Sequence, residues 1–368
     1  MKNKHEVSRR NFLRTASAAA TAAPFVLHGA KGAAADDEVF NIAMLSTAHI
    51  HTQSFMVNLA QQPDRRAIYV WDDNEERGQR YADQFESQFE ADLDAVVEDP
   101  DVDGFVICSE NTRHLPLLEK TLPTGKPVFC EKPLVTNTED LAVVKDLLDE
   151  YGTTLFAGYF LPFSGRMQAA KELIDEGFFG NITRVRYREA HPAAYQGWFD
   201  DPDLAWFTDP ELAGGGGFMD LGTHVIHLML SLFGNVEEIV ASIRNESGNY
   251  TDVDDFGVAQ LKLDNDILAT AEAGWTQTAG ISGLEITGSE RTLWFDGSRY
   301  YHDGPGHSEE AMEGIDSVPD RVDRLIAVLR GEIPEEELEA DLQASIEAVR
   351  VMEAAYNSNE SGQWEAVT

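Results

Sequence analysis

From Val39 onward, short apolar runs alternate with longer amphipathic stretches. Val39–Leu45 and Ala67–Trp71 are β-favouring runs, and Thr52–Gln61 between them has helical spacing. The pattern continues with strands over Gly104–Cys108, Val128–Cys130 and Thr154–Gly158, and with helices over Glu75–Gln88, Thr112–Leu122 and Thr138–Glu150. Strands that alternate with helices predict an α/β Rossmann domain, that is, a doubly wound parallel sheet.

After Gly158 the pattern changes. A helix over Ser164–Glu176 is followed by a strand over Ile182–Glu189, and an apolar helix is predicted over Leu221–Phe233. Further β-rich runs cover Glu238–Arg244, Asp255–Leu263, Ile267–Trp275, Leu284–Thr287 and Arg291–Phe295, and helices over Asp320–Arg330 and Glu335–Tyr356 close the chain. Short turns between the strands predict an α+β domain with an open, mostly antiparallel sheet. We therefore expect a Rossmann domain over residues 36–157 and a second domain, for substrate and oligomer contacts, over residues 158–368.

Residues 1–35 have the pattern of an export signal. Arg9 and Arg10 are paired, a mildly apolar run extends from Ala16 to Leu27, and Ala33–Ala35 supply the small residues that a signal peptidase needs. This resembles a twin-arginine signal, an address that exports folded proteins. The run is too short and too weakly apolar for a permanent membrane anchor, so we expect a periplasmic or extracellular protein.

The charge is strongly acidic, with 65 acidic against 28 basic residues and a net charge of −37. A surface of this kind argues against nucleic acid and against anionic membranes as partners. The acidic residues are spread along the chain, which favours a halophilic source. The two cysteines, Cys108 and Cys130, exclude a disulfide framework and are expected to be buried thiols.

The stretch Val128–Leu134 gives the first chemical signal. Its β-favouring run ends in Glu131 and Lys132, and Pro133 then stops strand pairing. Ligands of an open α/β sheet bind at the carboxyl ends of its strands. This edge is expected to gather Ser46, Asp72, Ser109, Asn111, Glu131 and Lys132.

A second signal lies in Gly214–His224. Asp220 and His224 are four residues apart at the start of the predicted apolar helix, so they share a face. A carboxylate one turn before an imidazole is expected to fix its tautomer and raise its basicity, as a general base requires. The glycines at 214–217 are expected to let the backbone approach a ligand closely. The alternative is a capping aspartate beside a buried histidine.

The first strand-to-helix turn departs from the dinucleotide-binding pattern. Where that pattern has three glycines, this chain has Ser46, Ala48 and His51. Asp72, which ends the second strand, suits a ribose 2′-hydroxyl, and the neighbouring Asp73 disfavours a 2′-phosphate, so NAD is favoured over NADP. The turn alone is a weak cofactor signal.

Two further groups have alternative interpretations. The aromatic residues before the glycine run suit either a sugar platform or a core; they are Tyr195, Trp198, Phe199, Trp206 and Phe207. His49, His51, Asp220, His224 and His227 come from distant segments without metal-binding spacing, so we predict no metal site.

Together these motifs resemble the glucose–fructose oxidoreductase/inositol dehydrogenase (Gfo/Idh/MocA) family. The matching segments are Cys130–Leu134, Asn111–His114, Trp206, Gly215–His224 and Ser358–Gly362. The resemblance covers residue 39 to the C-terminus. It implies a nicotinamide cofactor and a sugar or cyclitol substrate. Lys132 would bind the reacting hydroxyl, His224 would take its proton and Asp220 would orient His224. Glu131 would shape the cofactor side, and the Lys132–Pro133 peptide is expected to be cis.

The expected function is that of an exported NAD-dependent oxidoreductase that acts on a secondary hydroxyl and holds its cofactor tightly. The expected cofactor-binding residues are Ser46, Ala48, His49, Ile50, Asp72, Ser109, Asn111, His114, Glu131 and Lys132. A homo-oligomer, a dimer or tetramer, is also expected. The alternatives are an NAD-dependent glycosidase that works by transient oxidation and elimination, and a non-catalytic sugar-binding protein that has lost the cofactor turn.

Overall fold

A computed structural model describes residues 39–314, 317–318 and 320–368. The first sheet has six strands, all parallel, in the order β3-β2-β1-β4-β5-β6. Its strands are β1 (Phe40–Leu45), β2 (Arg65–Trp71), β3 (Gln88–Phe89), β4 (Gly104–Ile107), β5 (Val128–Cys130) and β6 (Leu155–Ala157). This is the doubly wound parallel sheet that the sequence predicts.

Helices connect these strands. They are α1 (Thr52–Gln61), α2 (Glu75–Phe85), α3 (Leu93–Glu98), α4 (His114–Thr121) and α5 (Thr138–Tyr151). The predicted helix over Glu75–Gln88 ends earlier, because Glu86 takes a left-handed backbone conformation (φ 57°) and Ser87 donates back to the Ala82 carbonyl. The chain then forms β3 and α3, which the hydrophobic pattern did not predict.

The second sheet has nine strands in the order β14-β13-β12-β11-β7-β10-β9-β8-β15. It is mostly antiparallel, as expected, but β7 and β10 at its centre pair in parallel. The strands are β7 (Ile182–Ala190), β8 (Val236–Arg244), β9 (Phe256–Leu263), β10 (Leu268–Gly274), β11 (Gly283–Gly288), β12 (Thr292–Phe295), β13 (Tyr300–Asp303), β14 (Glu310–Ala311) and β15 (Glu365–Ala366).

Helices cover one face of the second sheet and link it to the first. They are α6 (Gly165–Asp175), α7 (Ala193–Gln196), α8 (Pro210–Ala213), α9 (Thr223–Phe233), α10 (Arg321–Leu329) and α11 (Glu335–Ser361), with a π-helical turn over Phe218–Gly222 before α9. Helix α10 returns to the first sheet, where Val322, Leu325 and Ile326 join a buried cluster with Ile42 and Met44. Helix α11 packs against both β6 of the first sheet and β8 of the second, so the two sheets share a helix, although the sequence divides them near residue 158.

The export signal, a membrane-spanning helix and the state of the cysteines are the remaining points that the sequence raised. The twin-arginine segment over residues 1–35 lies outside the described residues. None of the helices in the described part of the chain has the length and apolar content that a bilayer crossing needs. Cys108 and Cys130 are buried, free thiols, and burial raises the pKa of each.

Candidate active site

Lys132 lies where the first sheet meets the second. Strand β5 ends at Cys130, and the Lys132–Pro133 peptide is cis, as the family resemblance implied. The Lys132 side chain is only 2% exposed. Its Nζ donates to the Asp220 carbonyl at 3.0 Å and to Asp220 Oδ1 at 2.5 Å. The two motifs, 88 residues apart in sequence, thus meet in a buried ion pair.

The Asp220 carboxylate is fully used by groups other than His224. Oδ1 accepts from Lys132, and Oδ2 accepts from the Trp275 indole at 2.9 Å. Burial alone would raise the pKa of Asp220, but Lys132 and these hydrogen bonds outweigh it and hold that pKa below its usual range. Asp220 was expected to fix the tautomer of His224, but His224 Nδ1 is buried and has no hydrogen-bond partner among the described residues. A charged ammonium and an indole N–H are present at this carboxylate, and charge-assisted bonds are the stronger ones.

His224 is a neutral base beside that ion pair. It is 4% exposed and packs edge-on against Tyr159 and Phe160, with ring centroids 5.7 and 5.0 Å apart. Burial and then the Lys132 charge lower the pKa of His224 well below its usual value. An imidazole that stays unprotonated at neutral pH can accept a proton from an alcohol.

The glycine run packs against protein. A Cβ at Gly216 would lie 1.9 Å from the Asp254 carbonyl oxygen, and one at Gly217 would lie 2.9 Å from Asp255 backbone atoms. Gly217 N–H donates to that Asp254 carbonyl, while the Asp254 carboxylate accepts from the N–H groups of Gly216 and Phe218. The expected close approach is therefore made to the Asp254–Asp255 backbone, which fixes the start of the helix that carries Asp220 and His224.

The first strand-to-helix turn keeps part of the dinucleotide geometry without its glycines. Ser46 takes a left-handed backbone conformation (φ 65°), which glycine adopts more readily. Helix α1 has no side-chain cap and no acidic residue in its first turn. The Ala48 carbonyl accepts from the Trp206 indole at 3.0 Å, so the segment before the glycine run covers this turn.

Asp72 is engaged within the chain. Its Oδ2 accepts from Thr47 N–H (2.7 Å) and Thr47 Oγ1 (2.6 Å), and Arg77 binds both oxygens at 2.9 and 2.8 Å. Asn74 N–H occupies Oδ1 as well. The expected ribose contact would compete with these bonds. The adjacent Asp73 carboxylate is 40% exposed and paired with Arg113.

Glu131 is completely buried at the same sheet edge. Its Oε1 lies 2.9 Å from His51 Nδ1 and 3.7 Å from Arg321, and its Oε2 accepts from Lys132 N–H at 3.0 Å. Burial alone would raise the pKa of Glu131, but the histidines and Arg321 outweigh it, so the carboxyl is ionised. Only glycine fits at residue 158, because a Cβ there would lie 2.5 Å from Glu131 Oε2.

The remaining expected cofactor residues lie at this edge and hold neighbouring segments. Asn111 Nδ2 donates to the Ala213 carbonyl at 2.9 Å, and His114 Nδ1 lies 2.8 Å from the Pro133 carbonyl. Ser109 donates to the Glu110 carbonyl. Their side chains fix the loops around Lys132.

Several residues of the site were not predicted. His191 stacks on Trp198, with centroids 4.6 Å apart, and burial lowers the pKa of His191, while the Asp220 charge opposes this and the Lys132 charge adds to it. Trp275 and Arg321 come from segments far away in the chain. Of these three residues, only His191 could have been found from the sequence: it directly follows strand β7, and ligands often bind at the ends of strands. Of the aromatic cluster, Phe199, Trp206 and Phe207 are buried core, and Tyr195 is exposed.

One group of buried side chains has metal-ligand chemistry. His49, Cys108 and Glu131 have ligand atoms within 4.8 Å of one another. Burial keeps the Cys108 thiol protonated, and Arg321 and Lys132 already supply positive charge there. This environment disfavours a cation.

Both halves of the fold match one oxidoreductase family. Residues 40–159 match the oxidoreductase family with an NAD-binding Rossmann fold (GFO/IDH/MocA), and residues 167–294 match the GFO/IDH/MocA C-terminal domain. The chain carries both domains of the GFO/IDH/MocA family. Its first domain is accordingly an NAD-binding Rossmann domain.

Two curated relatives match part of this chain. D-Xylose 1-dehydrogenase [NADP(+)] from Haloarcula marismortui is 29% identical over 51% of this chain and 52% of its own length. 2,7-Anhydro-N-acetylneuraminate hydratase from Mediterraneibacter gnavus is 25% identical over 59% and 56%. The chain thus spans little more than half the length of these curated relatives. An inositol dehydrogenase homologue from Azotobacter vinelandii, solved with NAD⁺, shares the fold (TM-score 0.76, 18% identity, 89% of this chain and 97% of that chain).

The residues at the GFO/IDH/MocA cofactor edge fit a nicotinamide dinucleotide. The uncapped start of α1 and the left-handed Ser46 suit a pyrophosphate. His49 Nε2 is buried and has no partner among the described residues, so it is available to a ligand.

Proposed function

We propose that this protein is an NAD-dependent oxidoreductase that oxidises or reduces a secondary hydroxyl of a sugar or cyclitol. The observation that carries the proposal is the buried Lys132–Asp220 pair beside a neutral His224. Relatives named as a xylose dehydrogenase and an inositol dehydrogenase homologue support the substrate class.

The chain's own residues supply binding, charge and proton transfer. The Lys132 ammonium would donate to the reacting oxygen and stabilise negative charge as the proton leaves. His224 would accept that proton, because its imidazole is neutral. Asp220 would orient the ammonium, and the Trp275 indole would hold the Asp220 carboxylate in place. A bound nicotinamide, held by residues of the 46–51 turn and by the β5 end, would supply hydride chemistry.

The test is the nicotinamide content and reactivity of the purified protein. Denatured, unsupplemented protein should release nicotinamide dinucleotide, and D-xylose or myo-inositol should change the absorbance of the bound cofactor. Protein that neither contains nor binds a nicotinamide would contradict the proposal and favour the sugar-binding alternative.

A second candidate is elimination or hydration through transient oxidation. The hydratase among the relatives supports it. In that case a glycoside or anhydro-sugar would be converted with no net change in the redox state of the cofactor. Product analysis by mass spectrometry separates the two, because only the first leaves an oxidised or reduced sugar.

We propose further that the protein is exported folded, with its cofactor already bound. The support is the Arg9–Arg10 pair with its Ala-rich run. Outside the cell there is no nicotinamide pool to exchange with, so the cofactor must be retained and recycled. A fusion of residues 1–35 to a folded reporter should be exported, and replacing both arginines by lysine should block this.

We also propose a homo-oligomer, formed through the outer face of the second sheet. That face carries side chains of both signs, with Arg186 and Arg188 beside Glu272 and Glu285. Light scattering in molar salt should give a mass of two or four chains; a monomer would refute this proposal.

A further inference from the structure

Glu189 lies at the end of β7 on the face of the second sheet that points towards the active site. Side chains alternate along a strand, so Glu189 shares its face with Val185 and Tyr187, which are buried. The π-helical turn that carries Asp220 packs against this strand and against β10. Glu189 pairs in register with Ala273, which has a small side chain. The side chain remains partly exposed.

Only one oxygen of this carboxyl group is used. Tyr187 Oη donates to Glu189 Oε2 at 3.3 Å. Within the described residues, Oε1 has no hydrogen bond and no lysine, arginine or histidine pairs with the group. The titratable groups that face it are Asp220 from the π-helical turn, Tyr187 from its own strand and Tyr300 from β13. A half-buried acid without a cation, next to a site for a polyhydroxy compound, has hydrogen-bonding capacity that the protein leaves unused.

We propose that Glu189 is a specificity residue, whose carboxyl group donates a hydrogen bond to a substrate oxygen other than the one attached to the reacting carbon. This rests on the proposed function, since it assumes that the site holds a sugar or cyclitol. Such substrates carry several oxygens on adjacent carbons. Lys132 and His224 address one of them, and Glu189 addresses a neighbour.

The protonation state follows from the surroundings. Burial raises the pKa of Glu189 to about 7, the hydrogen bond from Tyr187 opposes this and the Asp220 charge adds to it. Below that pH the group is a neutral carboxylic acid and a donor. Above it the group is a carboxylate, which only accepts. A substrate hydroxyl can still donate to a carboxylate, but the bound sugar would then cover an anion that lies near Asp220 and has no cation partner among the described residues. Substrate affinity should therefore fall as pH rises through neutrality.

The experiment compares Glu189→Gln with the wild-type protein. Glutamine keeps a donor of similar shape but does not titrate. Binding of D-xylose and of myo-inositol is measured by calorimetry on the full chain with its bound cofactor, at about pH 6 and about pH 8.5. Glu337→Gln is the matched control, because Glu337 is half-exposed on α11 and pairs with Arg324 at 2.8 Å.

Wild type and Glu337→Gln should bind the better sugar roughly three- to tenfold more weakly at the higher pH. Glu189→Gln should bind at the lower pH as tightly as wild type and should lose the pH dependence. Glu189→Ala should be weaker by a similar factor at the lower pH. Equal pH dependence in wild type and Glu189→Gln would overturn the inference and leave the proposed function intact. Failure of wild type to bind either sugar would overturn both.

A second measurement needs no sugar. A carboxyl whose pKa is raised on folding contributes stability that is present at low pH and is lost as pH rises to the folded-state pKa. The difference in melting temperature between Glu189→Gln and the wild type should therefore grow in favour of the variant from about pH 5 to about pH 7. At higher pH this difference should stay constant. A difference in melting temperature that does not change with pH would show that Glu189 titrates like an ordinary surface glutamate, and it would overturn the inference.

Discussion

Lys132 and Asp220 depend on each other, because each is a buried charge that the other neutralises. Removing the ammonium in Lys132→Met should lower turnover by about 10²–10³-fold, since the developing negative charge loses its partner. It should also cost about 3 kcal/mol of unfolding free energy, because Asp220 is left buried without a cation. Steady-state kinetics and chemical denaturation measure the two effects.

A double variant separates the two roles of Lys132. Lys132→Met/Asp220→Asn removes both charges, so it should regain most of the lost stability but none of the turnover. Lys120→Met, which removes a lysine half-exposed beside Asp94, should change neither by much. Turnover that recovers with stability would mean that Lys132 is only structural.

His224 should make the activity resistant to mild acid. The pKa of His224 lies well below the usual 6.5, so the decrease of kcat/KM on the acid side of the pH profile should be centred at a pH below 6.5. The folded state binds fewer protons there than the unfolded state, so this residue should also make stability decline as pH drops below about 6.5. His224→Ala should lose about 10²–10⁴-fold in turnover and should flatten that decline. A decrease of kcat/KM centred at the ordinary histidine pKa would contradict the assignment of His224 as a buried, neutral imidazole.

At the scale of single residues, the sequence predicts three candidate residues that lie together, but it does not predict all of their partners. Lys132, Asp220 and His224 do come together, because the strand end and the helix start could be placed from their patterns. The structure shows no hydrogen bond between Asp220 and His224 in the described part of the chain, since i, i+4 spacing gives a shared face without showing that Lys132 and Trp275 occupy the carboxylate. His191, Trp275 and Arg321 reach the site only through long-range folding.

At the scale of elements, the glycine run sets the position of the π-helical turn. Gly216→Ala should destabilise the fold by about 1–3 kcal/mol or more, because its methyl group would collide with the Asp254 carbonyl. It should also reduce turnover by displacing Asp220. Gly125→Ala is the control: its backbone is left-handed but nothing lies within 4 Å of the added methyl group, so only backbone strain of about 1 kcal/mol is expected. Equal effects of the two substitutions would contradict this role.

The helices and strands with a strong hydrophobic period were predictable from the sequence. The elements whose position depends on tertiary contacts were not. Strand β5 and helix α1 have the predicted bounds because their runs end at Glu131 and Gln62. The π-helical turn was not expected, since a 3.6-residue period cannot show a wider turn that glycine packing imposes. The return of α10 to the first sheet was also unpredictable, because the helix follows the strands of the second sheet in the sequence and its hydrophobic period does not specify which sheet it packs against.

For the whole molecule, the net charge of −37 predicts stability that depends on salt. Mutual repulsion of surface carboxylates opposes the compact state, and added ions screen it. The melting temperature should rise by more than about 5 °C between about 0.1 M and about 2 M potassium chloride. Unchanged melting over that range would contradict a surface adapted to high salt.

The account as a whole requires hydride to leave a sugar carbon at the site of Lys132 and His224. The most direct test incubates the protein and its bound cofactor with carbon-deuterated D-xylose or myo-inositol and determines the mass of the recovered nicotinamide. One deuterium per reduced cofactor is predicted for the wild-type protein, and none for Lys132→Met or His224→Ala. Nicotinamide without deuterium in the wild type, or with equal deuterium in all three proteins, would contradict the proposed chemistry.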